Sequence, residues 1–292
     1  MSRIQVAILG LGLIGGSLGL AFRRSETNNV EVTGYARRAA TGELALTMGA
    51  VDAMAATPQE AVRDADFVFI CTPVLQMLSM AEAVLPAMKP GAVLTDVGST
   101  KGWFMQKISR LLPPHIHYIG GHPMAGRERS GMEAAQADLF QDKWFLFTPF
   151  ADTPPELLTR LRQLISLTGA KMAELDERTH DQITAVISHV PHVVAAGLVQ
   201  LLRKQNDPVQ TARFIGGGFR DTTRIASSDA DMWADICMTN GGNIAAELDA
   251  AADLLANVAK MIRSGDRPGL HKYFTEAKQL RDDLLQQEKQ LK

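Results

Sequence analysis

Cysteine is nearly missing from these 292 residues: Cys71 and Cys237 stand far apart, and two such residues build no disulfide framework. A secreted, bridge-stapled fold is excluded with them, and the cytoplasm is the expected compartment. Charge of one sign is missing too. The 30 Lys and Arg against 32 Asp and Glu leave a net −2, interspersed along the chain, so no polybasic stripe offers itself to nucleic acid or to an anionic membrane. No run reaches the roughly 18 uninterrupted apolar residues of a membrane helix. The apolar stretch Ile4 to Leu9 lacks the small-residue cleavage pattern of a secretory signal. Internal repeats and low-complexity segments are absent. His189 and His192 lie one helical turn apart, but no compact Cys, Asp or Glu set accompanies them, so no metal site is expected.

What the chain does have, directly behind Ile4 to Leu9, is Gly10-Leu11-Gly12-Leu13-Ile14-Gly15, followed by Ser17-Leu18-Gly19-Leu20-Ala21-Phe22. Strand, glycine motif and helix come in the order a dinucleotide grip requires. Gly10 permits the tight turn, Gly12 lets backbone approach a pyrophosphate, and Gly15 lets the helix pack close on the strand. The N–H groups of the helix start, at Leu13 and Ile14, and its partial positive charge favour the phosphates. An NAD enzyme carries Asp or Glu at the end of its second strand, about 20 residues past the motif. The strand placed at Val30 to Tyr35 ends instead in Ala36-Arg37-Arg38, with no carboxylate for a ribose 2′-hydroxyl and two guanidiniums for a 2′-phosphate. NADP is the expected cofactor and NAD the alternative; either arginine alone also reads as solvated surface charge.

A hydrophobic content of 46% over this length allows two buried cores. Up to residue 173, β-rich runs alternate with helical patterns: Ile4 to Leu9, Val30 to Tyr35, Phe67 to Cys71, Ala92 to Val97, Ile116 to Gly120 and Trp144 to Thr148. That alternation predicts an α/β fold, a Rossmann-type doubly wound, mainly parallel sheet. From residue 174 to 292 only helical spacing remains, broken by Pro191, Pro208, Gly216 to Gly218 and Pro268, which predicts an all-α second domain. Its small residues Ala245, Ala246, Ala250, Ala251, Ala252 and Ala256 let helices approach closely. A homodimer is expected, a self-contained bundle being the alternative.

Chemistry-bearing residues gather at the predicted strand ends. Thr72-Pro73 follows one strand and Gly98-Ser99-Thr100-Lys101 the next, both where strand C-termini meet the cofactor crevice. The following loop is Gly120-Gly121-His122-Pro123-Met124-Ala125-Gly126, then Arg127-Glu128-Arg129-Ser130-Gly131. Further on come Ile187-Ser188-His189-Val190-Pro191-His192 and Phe219-Arg220-Asp221-Thr222-Thr223-Arg224. In this order, across nearly the whole chain, these segments resemble the prephenate/arogenate dehydrogenases of tyrosine biosynthesis.

The resemblance implies an NAD(P)-dependent oxidative decarboxylation, of prephenate to 4-hydroxyphenylpyruvate or alternatively of arogenate to tyrosine. As hydride leaves C4, its hydroxyl must lose a proton, and a neutral imidazole suits that task near neutral pH. His122 matches the family's catalytic histidine. Ser99 matches a serine that positions substrate against the nicotinamide; its plainer role is the N-cap of the next helix. The substrate class carries two carboxylates, and Arg224 matches the family arginine that binds one. Asp221 is expected to hold that arginine or to join an ion network with Glu128. His192, Ser188, Ser228 and Trp233 match positions lining the pocket, although Trp233 suits core packing equally well. His189 reads as structural, and the pair His180-Asp181 receives no role. A β-hydroxyacid dehydrogenase is the remaining alternative; such enzymes rely on a lysine of the helical domain, and none here sits in a convincing motif.

Overall fold

The computed structural model describes residues 3–24, 29–127, 129–204 and 207–290. In the first strand, β1 (Ile4–Leu9), Val6 and Ile8 enter one buried cluster while Ala7 and Leu9 enter another. Strand β4 (Phe67–Ile70) divides in the same way, with Phe67 and Phe69 on one side and Val68 and Ile70 on the other. An apolar run split at period two is what a strand covered on both faces requires. With β2 (Val30–Tyr35), β3 (Ala53–Met54), β5 (Val93–Asp96), β6 (His117–Pro123), β7 (Trp144–Pro149) and β8 (Lys171–Glu174), these build one eight-stranded sheet. Its order is β3-β2-β1-β4-β5-β6-β7-β8, parallel throughout except between β6 and β7. Strand order reverses between β1 and β4, which opens a crevice beyond Leu9 and Ile70.

Helices α1 (Leu13–Arg24), α2 (Ala39–Thr47) and α6 (Pro155–Ser166) cover one face, burying Leu18, Phe22, Ala45, Leu161 and Ile165. The other face is covered by α3 (Pro58–Val62), α4 (Val74–Val84) and α5 (Gly102–Ile108), through Val62, Met77, Ala81, Phe104 and Ile108. This is the expected doubly wound sheet, with two strands added. Strand β3 is too short to leave a pattern, and β8 is a half-exposed edge strand with charged ends.

One boundary is corrected. The strand expected to stop at Gly120 continues to Pro123, so His122 lies in the sheet, opposite Leu146, and not in a glycine loop. A Cβ on Gly120 would collide with the Thr148 hydroxyl, and one on Gly121 would meet the Asp96 carbonyl oxygen at 2.5 Å. These glycines mark close approach by neighbouring strands.

After β8 the chain is helical: α7 (Glu177–Thr184), α8 (Val190–Leu201), α9 (Pro208–Ala212), α10 (Gly217–Thr223) and α11 (Ala230–Thr239). The disturbance expected at Pro191 takes the form of a π-helical turn over Ala185–His189. Proline offers no N–H and crowds the carbonyl four residues back, and the wider turn relieves both. Among the described residues, Glu177–Lys204 is the one helical stretch long and apolar enough to cross a membrane by length and composition. The chain forms two compact units, Met1–Asn243 and Ile244–Lys292. The second holds most of α12 (Gly241–Ser264) and all of α13 (Arg267–Gln290), whose Phe274, Leu280 and Leu284 are exposed along with Leu254, Leu255 and Ile262 of α12.

Candidate active site

At the crevice, Gly10 has φ +106°, and a Cβ there would meet the Cys71 carbonyl group at 2.8 Å. Only glycine satisfies both conditions. Gly15 lacks a side chain because the Gly10 carbonyl occupies that space. Gly12 differs, since nothing stands within 4 Å of where its Cβ would be. The first bond of α1 runs from the Gly16 N–H to the Gly12 carbonyl, 2.9 Å, so the N–H groups of Leu13 and Ile14 precede the helical ladder. Thr72, whose backbone N lies 3.1 Å from the position of a Gly10 Cβ, has its hydroxyl buried without a partner, and Pro73 follows at the start of α4. An open floor, unladdered donors and an orphaned hydroxyl fit a dinucleotide pyrophosphate. Arg37 and Arg38 are exposed just past β2, Arg38 at the N-cap position of α2, and no carboxylate lies between Tyr35 and Thr41.

The neighbouring strand ends bring two catalytic candidates toward the same crevice. Ser99 is half-buried after β5, and His122 is buried on β6. Ser99 does not cap the helix behind it, which corrects that expectation: α5 begins at Gly102, and a carboxylate 80 positions along the chain does the capping. Asp181 Oδ1 accepts the Lys101 N–H at 2.8 Å and Oδ2 accepts the Gly102 N–H at 2.9 Å. Oδ1 also faces His180 Nδ1 at 2.8 Å, and His180 Nε2 in turn lies 2.8 Å from His122 Nδ1. Asp181 and His180, left without a role by the sequence, are thus joined to His122 in one buried chain of hydrogen bonds.

Beneath this chain lies a fully buried ion pair. Lys101 Nζ meets Asp96 Oδ1 and donates to the Gly121 carbonyl at 2.6 Å, while Asp96 also accepts the Tyr118 hydroxyl and, at 2.6 Å, the Gly98 N–H. Burial, and then the Asp96 charge, raise the Tyr118 hydroxyl well above its ordinary pKa. Burial lowers His122 well below the ordinary histidine value, with further lowering from His180, Lys101 and His189. His122 is therefore a neutral imidazole, the form needed to accept a proton.

The distal motif completes the cluster. His189 Nδ1 accepts from the Asn240 amide at 3.2 Å, and its Nε2 is buried with no hydrogen-bond partner among the described residues. His192 donates from Nδ1 to the Ser188 carbonyl at 2.9 Å and stacks on Trp233, with ring centroids 3.7 Å apart. The Trp233 Nε1–H is buried and unpartnered among the described residues. Arg224 stands on the turn after α10, which packs on the helix carrying His192; it lines a cavity of about 540 Å³ with Phe219, Arg220 and Ser227. Asp221 is exposed on α10, and the Ser228 hydroxyl donates to the Ile225 carbonyl. Glu128 lies outside the described residues. No metal-ligand cluster occurs among the described residues.

Four buried or half-buried histidines carry lowered pKa values, each chiefly through burial: His122, His180, His192, and His189, which falls to about 4. The unfolded chain binds their protons more readily, so stability rises with pH through this range. It is fully present above the ordinary value of 6.5 and lost as pH falls toward the depressed values. Urea midpoints are expected to stay level above about pH 7 and to decline from there toward pH 5. A midpoint that does not change between pH 7 and pH 5 would contradict the neutral cluster.

Known proteins share this architecture. Residues 18–174 match the family model described as the prephenate dehydrogenase nucleotide-binding domain, and residues 176–276 match its dimerization domain. The chain is 36% identical over 281 residues to a prephenate dehydrogenase of Bacillus subtilis, covering 96% of this chain and 76% of the other. It is 33% identical to a cyclohexadienyl dehydrogenase of Zymomonas mobilis, covering 95% and 94% of the two chains. Among solved structures, a prephenate dehydrogenase from A. aeolicus in complex with hydroxyphenyl propionate and NAD+ superposes with a TM-score of 0.89 at 30% identity, covering 97% of this chain and 99% of that one. With the dinucleotide turn, the neutral His122 and the distal histidine motif in place, the chain belongs to the prephenate dehydrogenase family of nicotinamide-dependent oxidoreductases.

Proposed function

We propose that this enzyme oxidatively decarboxylates prephenate to 4-hydroxyphenylpyruvate, with NADP+ as its preferred acceptor. The observation that carries the reading is a buried, neutral His122 beside the Ser99 segment, at the sheet end that also holds the dinucleotide turn. Gly10, Gly12, Leu13, Ile14, Gly15, Thr72 and Pro73 would hold the dinucleotide; once bound, its oxidised nicotinamide supplies the hydride acceptor for C4. His122 takes the proton of the C4 hydroxyl as hydride leaves C4, Ser99 orients that hydroxyl, and the ring carboxylate departs as carbon dioxide, leaving its bonding electrons to make the ring aromatic; the phenolate oxygen so formed takes the proton back from His122, which gives the phenol of 4-hydroxyphenylpyruvate. Arg224 pairs with one substrate carboxylate, a match of guanidinium to carboxylate geometry. Asp221 orders that arginine, together with Glu128, and Ser188, His192, Ser228 and Trp233 line the side-chain end.

Prephenate is favoured over arogenate by a donor in this lining, the buried and unpartnered Trp233 Nε1–H. Such a donor suits the keto and carboxylate oxygens of prephenate, whereas the ammonium of arogenate would need acceptors. NADP+ is favoured by Arg37 and Arg38 standing where a carboxylate would hold the NAD ribose. We assign residues 1–173 to nucleotide binding and residues 174–292 to substrate binding and homodimerisation. The apolar side chains left exposed on one chain, Val186, Ile187 and Leu201 on the helical run and Phe274 and Leu280 on α13, support burial against a second copy. Two free cysteines, Cys71 and Cys237, accord with work in the cytoplasm.

Absorbance of the reduced nicotinamide tests the reading directly. Prephenate with NADP+ is expected to turn over fastest of the four pairings of prephenate or arogenate with NAD+ or NADP+. Alanine at both Arg37 and Arg38 is expected to move the preference toward NAD+ by about tenfold or more, the scale of a lost charge-assisted contact to phosphate. Faster turnover of arogenate would reverse the substrate assignment, and a preference for NADP+ that survives the double variant would reverse the cofactor assignment.

A further inference from the structure

We infer that His180 and Asp181 are positioning residues that fix His122 in the tautomer with hydrogen on Nδ1, leaving Nε2 as its proton-accepting atom. The inference rests on the reading of His122 as the proton acceptor, and it gives that acceptor its orientation and its lone pair. Proton positions follow in sequence from the capped helix. The Asp181 side chain receives two backbone N–H groups, one on each oxygen, so both oxygens stand as acceptors. His180 Nδ1, 2.8 Å from that carboxylate, must therefore carry a hydrogen. Burial holds His180 below its ordinary pKa, so its ring is neutral and Nε2 keeps a lone pair. The partner of that lone pair at 2.8 Å is His122 Nδ1, which must then be the N–H donor. A neutral imidazole with Nδ1–H has its remaining lone pair on Nε2.

The same carboxylate also fixes the other half of the site. By receiving the N–H groups of Lys101 and Gly102 it holds the segment that begins at Ser99, so one anion sets both the serine and, through His180, the histidine. Asp181 is itself held through its backbone carbonyl, which accepts the Asn240 amide at 2.8 Å. A histidine serving packing alone would need no ordered line of donors ending on His122. The logic is that of a carboxylate selecting the tautomer of a catalytic base, where conversion of carboxylate to amide leaves the geometry but reverses the proton.

Selective 15N labelling of the seven histidine rings reads the tautomer without substrate or cofactor, because N–H and lone-pair nitrogens resonate apart. His122 is assigned as the ring lost in His122→Asn. Wild type is expected to show hydrogen on Nδ1 of His122. Asp181→Asn can present its amide N–H to His180 and reverse the line. His180→Leu removes the acceptor while leaving both helix-capping bonds of Asp181 intact, so it remains informative if the amide variant folds poorly. Both variants are expected to show hydrogen on Nε2 of His122 and to lower kcat by ~10-fold to 10²-fold with little change in KM. A wild-type ring carrying hydrogen on Nε2, or variants in which the His122 tautomer is unchanged, would overturn the inference. A reversed tautomer with undiminished kcat upholds the positioning and instead removes His122 from the chemistry.

Discussion

Replacing His122 with asparagine is expected to lower kcat by ~10² to 10⁴ while KM for substrate stays near its wild-type value. Asparagine keeps an N–H to offer the His180 lone pair, so the buried line of hydrogen bonds can persist and the fold is spared. It offers no basic lone pair where the imidazole Nε2 stood, and an amide oxygen accepts a full proton far too weakly. Loss confined to kcat marks an interaction made in the transition state and not in substrate binding. Steady-state rates with prephenate and NADP+ decide the matter, and a kcat within twofold of wild type would take His122 out of the mechanism. The low pKa of His122 adds a second signature: wild-type kcat should not fall through the ordinary histidine range as pH drops, because the base stays neutral there.

The parts of this molecule that were readable in the sequence are those written in local pattern. Five of the six expected strands recur within a residue at each end, because apolar runs bounded by turn residues carry their own signal. The dinucleotide turn was readable for the same reason, since strand, glycines and helix are contiguous. His122 was identified, but its strand was cut short, because glycines that admit the Thr148 hydroxyl and the Asp96 carbonyl look the same in sequence as glycines of a loop. What local pattern could not carry is pairing over distance. The contact of Asp181 with the Lys101 backbone spans 80 positions, and that of His180 with His122 spans 58. An adjacent histidine and aspartate early in a helix look like any polar turn until the fold places a helix N-terminus against them. Lys101 was hidden similarly: a lysine is read as solvated, and only the closing of β5 on β6 shows it in the core.

Lys101→Met is expected to cost about 3–5 kcal/mol of folding stability, the scale observed when one member of a buried ion pair is removed. Methionine can occupy much of the lysine stem's volume, so the loss is electrostatic more than steric. Both partners are completely shielded from solvent, and without the ammonium Asp96 keeps, among the described residues, the Tyr118 hydroxyl and the Gly98 N–H against an uncompensated buried charge. Denaturant midpoints compared at pH 7.5, above the range in which the histidines titrate, measure that cost. Adding Asp96→Asn to the methionine variant removes the stranded charge, so the double variant should recover part of the loss, and the two changes should fail to add. A single variant within about 1 kcal/mol of wild type would show that water reaches Asp96 after all, since only a hydrated carboxylate tolerates the loss so cheaply. The Gly121 carbonyl loses its lysine contact as well, and Gly121 directly precedes His122. The variant that does fold should therefore also show reduced kcat, because the strand that aims the imidazole has lost one of its anchors.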